Sequence, residues 1–228
     1  MGHRANFILI QEGQTFCFTD RWSGINIPNL TFWGEHLTLQ HLDVQHAVVP
    51  EFLRDSLWCE GGFLLNRDQK ALVFHFDYWS VDAEPLVDLN GKMYHWDIFT
   101  EFPLLVRCYL DMVRACWPGW TIKFAQTVDF CCPQGFEFDV EKIPEKEMEV
   151  TAEQVLDFPL GKTEIYLKFA ELLLMDQRFD FRMVAQQVLQ THPQAELAVD
   201  YFKAPSQIPG MRDREEIMRQ VLRVVLED

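Results

Sequence analysis

Cysteine and histidine give this chain its reactive side chains, and Cys59 in the stretch LWCEGGFLLN is the first candidate among them. A cysteine nucleophile needs a base within reach and a positive surrounding that holds the thiolate. His75 falls at the far end of the hairpin that follows, and His41 and His46 lie upstream. A Cys59–His75 pair therefore defines one reading, a cysteine-dependent hydrolase or transferase. Glu60 speaks against it, because an adjacent carboxylate raises a thiol pKa. No protease signature surrounds the cysteine. The other reading is architectural: Cys59 is buried at the start of a strand, and Gly61 and Gly62 supply backbone freedom at a helix-to-strand junction.

Metal chemistry finds less support. The cysteines at 17, 59, 108, 116, 131 and 132 contain no C-x-x-C pair, and the neighbours Cys131 and Cys132 suit a strand end better than a shared ion. His36, His41 and His46 are five residues apart, so on a helix each step turns the side chain by about 140° and the three fan outward. Helical metal pairs sit at i, i+3 or i, i+4. The acidic residues after position 76 lack calcium-loop spacing. No P-loop, dinucleotide-binding glycine pattern, G-x-S-x-G or H-E-x-x-H occurs. No metal and no cofactor are expected from these patterns.

Charge is the more informative bulk property. Lys and Arg number 20 against 35 Asp and Glu, a net −15. Residues 1–144 carry 10 basic and 19 acidic side chains and residues 145–228 carry 10 and 16, so the excess is spread along the chain. Such a field repels nucleic-acid phosphates and anionic membranes and favours a basic partner. Asp77, Asp82, Glu84 and Asp88 gather this charge beside Tyr78 and Trp79, with Tyr94 and Trp96 beyond. Aromatic anchors within an acidic rim are the composition of a protein-binding surface. The leading functional expectation is an acidic, non-enzymatic binding protein for a basic protein partner, in the manner of an immunity protein.

The elements that must position these residues follow from hydrophobic period and turn chemistry. Phe7–Gln11 and Thr15–Thr19 read as a hairpin around Glu12-Gly13-Gln14, and Gly62–Asn66 with Lys70–Phe76 as a second. The second strand of that pair is apolar on both faces, which predicts an internal strand. Between the hairpins, SGINIPNLTFWG reads as loop, Glu35–Gln45 as helix, and Pro50 opens a short helix through Leu57. Residues 77–97 form a polar connection with a turn at Asn90-Gly91. Leu105, Cys108, Tyr109, Met112 and Cys116 recur at helical spacing behind Pro103, and WPGW ends that helix. TIKFAQTVDFCC reads as a further strand. Beyond a charged linker, Thr163–Arg178, Asp180–Thr191, Gln194–Lys203 and Asp213–Leu226 read as helices.

Strands that come as hairpins and a helical block behind them predict an α+β fold, an antiparallel sheet with packed helices. The expected division is an α+β domain over 1–144 and a helical region over 145–228, free to pack on it. The apolar run after Arg4 is too short for a signal core, position 6 is Asn where myristoylation asks for Ser or Thr, and no stretch is long enough to span a bilayer. A reducing cytoplasm with free thiols is the expected compartment.

The segments MGHRANF, FWGE, WCEGGFLLN followed by KALVFHF, and WPGW resemble a family of uncharacterised bacterial proteins that begin MGHRAN. The similarity covers roughly residues 1–125. It implies a bacterial cytoplasmic origin and lends no catalytic residue.

Overall fold

The computed structural model describes residues 3–43, 45–151, 155, 158–174 and 211–227. The fold is α+β. Its centre is a five-stranded sheet in the order β2-β1-β3-β4-β7, with β1 at Arg4–Gln11, β2 at Gln14–Asp20, β3 at Cys59–Asn66, β4 at Ala71–Phe76 and β7 at Thr121–Phe124. Both expected hairpins form, β1 with β2 and β3 with β4. Their turns use left-handed backbone, at Glu12 and Gly13 in the first and at Lys70 in the second. Asp68, in the second turn, accepts from the backbone N–H of Glu12 and Gly13 at 2.7 and 2.8 Å, fastening the two turns together.

The sheet is mixed, where an antiparallel one was expected. β1 pairs with β3 in parallel, and so does β4 with β7. The reason lies in the connections. Between β2 and β3 the chain forms helices α1 (Ile27–Phe32) and α2 (Glu35–Asp43), and a connection of that length returns the second hairpin to the far side of β1. Helix α1 falls where the sequence suggested loop: Pro28 sits in its first turn, where a missing N–H costs nothing. Conversely, Pro50 opens only a 3₁₀ turn ending at Phe52.

Both faces of the sheet are buried. On the first, Phe74 and Phe76 meet Tyr109 of helix α3 (Pro103–Cys116), in one core with Phe7, Phe63, Phe124, Leu105 and Met112. Tyr109 donates its hydroxyl to Pro28 O at 2.9 Å and Trp117 its indole N–H to Thr31 O at 2.8 Å, so aromatic bulk and polar tip together tie α3 to α1. A helix over 162–174, α4, and α5 (Met211–Glu227) join this core through Phe169, Leu173, Met218 and Val221. The expected helical segments between 175 and 210 lie outside the described residues. On the second face, Ile8, Cys17, Leu64 and Val73 are covered by Leu53, Val128, Phe130 and Val140 from irregular chain. The expected strand through Cys132 stops at Phe124, and Val128–Cys131 is a 3₁₀ turn. No helix among the described residues is long and apolar enough to cross a membrane.

Candidate functional site

The register brings five chain segments to one end of the sheet. Arg4 pairs with Cys59 at the starts of β1 and β3. Asp20 at the end of β2 faces Ala5, Phe76 at the end of β4 faces Gly61, and Phe124 at the end of β7 faces Phe74. The loops around Trp22, Trp58, Asp77 and Cys131 therefore converge there. Two features stand out at this end, a buried group of thiols and an exposed apolar surface.

The thiols belong to Cys59, Cys131 and Cys132, whose sulfur atoms all lie within 4.8 Å of one another. Cys59 is 6% exposed, and the other two are fully buried. A register shift sets the first of them. Arg4 faces Cys59 but Ala5 faces Gly61, so Glu60 is an extra residue that bulges from β3. The bulge turns Cys59 to the second face, among Leu64 and Cys131. Gly62 then makes room: a Cβ built there would stand 2.5 Å from Cys131 Sγ and 2.5 Å from Asn6 O. Neither Gly61 nor Gly62 has a positive φ. Close approach, not left-handed backbone, is what these glycines supply.

Asn6 frames the group. Its side chain accepts from Arg54 N at 2.9 Å and donates to Arg54 O at 2.8 Å and Cys131 O at 3.0 Å, with Cys132 Sγ at 3.7 Å. Each thiol donates to a carbonyl, Cys59 to Gly61 O at 3.2 Å and Cys131 and Cys132 to Val128 O at 3.2 and 3.4 Å. An ionised Cys59 gains from the Cys131 and Cys132 thiols beside it, which holds its pKa well below the ordinary thiol value against the opposing effect of burial. Burial, and donation of its proton within the group, push Cys131 up. For Cys132 the downward pull of Cys131 is outweighed by its bond to Cys59 and by burial, which raise it to about 12. One thiol of the three is thus set to ionise first.

His75 stands apart from this chemistry. Its Nδ1 meets Ala125 O at 2.9 Å, its Nε2 meets Asp77 at 3.3 Å, and its ring stacks on Phe124. Both nitrogens of the base imagined for Cys59 are engaged elsewhere. Asp77 is held below the usual carboxylate range by the hydrogen bond from His75, against its partial desolvation.

The acidic segment divides in two. Asp77, Asp82 and Glu84 face solvent, and Tyr78 is half-exposed. Asp88 is spent on its own turn, accepting from the N–H of Asn90 and Lys92 at 2.8 and 2.9 Å between strands β5 (Leu86–Val87) and β6 (Met93–Tyr94). Trp79 and Trp96, expected as surface anchors, are buried: they pack on Phe169 of α4 within the first core. The aromatics of this segment are covered by the C-terminal helical region, which packs on them through Phe169. A cleft of about 580 Å³ opens beside β6, lined by Lys92, Tyr94, Phe102 and Phe158.

The exposed apolar surface comes from a stretch to which the sequence reading gave no such role. Phe52 is 69% exposed, Leu57 82% and Trp58 54%, and Trp22 is 58% exposed after the end of β2. The chain that carries them starts from the bridge between Val48 and Cys17 and passes below β1, where Leu53 is buried and Arg54 is fixed by Asn6. Arg4 lies over the Trp58 ring and Arg21 over Trp22, at 5.1 and 5.5 Å. Glu51, Glu60 and Asp77 are exposed in the segments that meet at this end, and Asp82 and Glu84 are exposed further along the chain from Asp77. The signal for this surface was an apolar group in Phe52, Leu57 and Trp58 that kept neither helical nor strand period. Cys131 and Cys132 carried no such signal, since only the pairing of strands places them beside Cys59. Compared with known protein families, curated proteins and solved structures, the chain matches none.

Proposed function

We propose that this chain is a non-enzymatic binding protein for a basic protein partner, immunity-like in its charge, and that it binds through the end of the sheet where Trp22, Phe52, Leu57 and Trp58 are exposed. That exposure carries the reading. Large apolar side chains cost free energy when left in water, and four of them exposed in segments that meet at one end of the sheet point to an interaction site. Trp is also the residue type most enriched among those that dominate binding energy. Carboxylates around the rim, with a chain charge of −15, select the sign of the partner. Arg4 and Arg21 keep their charge where they lie over the exposed tryptophans and offset part of the acidic rim locally, so the sign of the partner rests on the net charge of the whole chain. The loop is held from beneath by Asn6 and Leu53, so its surface is presented on rigid support.

The test is a pull-down from the native host at low and at high salt, with the intact chain and with a Leu57→Ser/Trp58→Ala variant of unchanged melting midpoint. The expected outcome is a basic protein that the intact chain retains, that salt releases and that the variant loses. Capture of a neutral or acidic protein, or equal retention by the variant, would defeat the proposal.

A further inference from the structure

We propose that Cys59, Cys131 and Cys132 form a three-sulfur site for one thiophilic metal ion, copper(I). The site is independent of the partner reading and lies beneath that surface. Metal–sulfur bonds of about 2.3 Å would set three sulfurs in one plane roughly 4 Å apart. The sulfurs here already stand within 4.8 Å of one another, so a shift of under about 1 Å closes the shell. The backbone yields for the three thiols. Glu60 bulges out of β3 to turn Cys59 inward, and Gly62 leaves free the volume that Cys131 Sγ occupies.

The donor set selects the ion. All three donors are sulfur, and among the described residues no histidine or carboxylate joins them. Soft thiolates suit copper(I), zinc and iron–sulfur clusters alike, but structural zinc and these clusters take four protein ligands, so three sulfurs alone fit copper(I). Asn6 supplies outer support: two hydrogen bonds to Arg54 fix its amide, which faces Cys131 O and Cys132 Sγ and can donate to a coordinated sulfur. On binding, each sulfur that ionises gives its proton to bulk buffer and a lone pair to the ion. Copper stays in the monovalent state throughout, so no oxidant or reductant takes part.

The decisive experiment titrates reduced, metal-free full-length protein under anaerobic conditions with copper(I) from a weak chelator complex, and separately with zinc(II). Expected are one equivalent of copper(I) per chain, three sulfur neighbours in X-ray absorption and a raised melting midpoint. Cys59→Ser and Cys132→Ser should each weaken uptake by tenfold or more, while Cys116→Ala, which spares the group, should not. If neither serine variant folds, the sulfur count in the intact protein decides: three supports the site, and any other number overturns it. Absence of stoichiometric uptake by the folded protein, a preference for zinc(II), or full uptake by a folded Cys59→Ser/Cys132→Ser variant would each overturn it as well.

Discussion

His41 lies with its ring edge-on to Phe7, 5.4 Å between centroids, and its buried Nε2 has no hydrogen-bond partner. Burial lowers its pKa from 6.5, with the charge of Asp20 acting the other way. A histidine depressed in the folded state is neutral in both states above pH 6.5 and costs nothing there. Below that value the unfolded chain takes up the proton first, so stability falls as pH drops toward the folded pKa. The melting midpoint should therefore decline below about pH 6.5, and His41→Leu should flatten the decline in that window. The tryptophans divide just as sharply. Trp79→Ala removes a ring that is fully buried and should cost roughly 3–5 kcal/mol of stability by chemical denaturation. Trp58→Ala, at an exposed ring, should leave stability nearly unchanged and raise the dissociation rate of the partner complex.

At the scale of elements, the start of β3 shows how the backbone makes room for side chains. Gly62→Ala introduces a Cβ at 2.5 Å from both Asn6 O and Cys131 Sγ, so either β3 or the turn before Cys132 must move. The variant should lose roughly 1–3 kcal/mol by overpacking, read as a lower denaturation midpoint, and its copper(I) uptake should fall with it. Gly13→Ala, in open space but at a φ of +68°, strains only a surface turn and should spare uptake. Much of the element layout was legible beforehand, because hairpin turns and the stripe of α3 are local signals that the core does not override. What stayed hidden was non-local. Glu60 reads as part of the junction before the strand until β1 is laid beside it, and Trp79 reads as a surface anchor until α4 is packed over it. The same limit applies to the thiols: no spacing in the chain announces Cys59 beside Cys131 and Cys132, since strand order alone joins them.

Across the whole molecule the acidic excess acts at a distance before any contact forms. Asp82→Asn with Glu84→Gln removes two exposed carboxylates of the acidic segment. The association rate with a basic partner should fall and its salt dependence flatten, with little change in dissociation. An association rate insensitive to ionic strength in the intact protein would rule out steering by charge. The parallel junction of β1 with β3 bears on how the chain reaches this structure. Each hairpin closes over a turn of a few residues and can form in roughly microseconds. The junction cannot, because its two strands meet only after the connection that carries α1 and α2 has been gathered in. That meeting is the expected barrier to refolding. Ile8→Val on β1 should slow refolding nearly in proportion to the roughly 0.5–1.5 kcal/mol it removes, whereas Met218→Ala on α5 should leave the refolding rate alone and hasten unfolding. Until the junction closes, the chain holds two preformed ribbons with unpaired edges, and the interval before they join is when it is most open to pairing with another copy of itself.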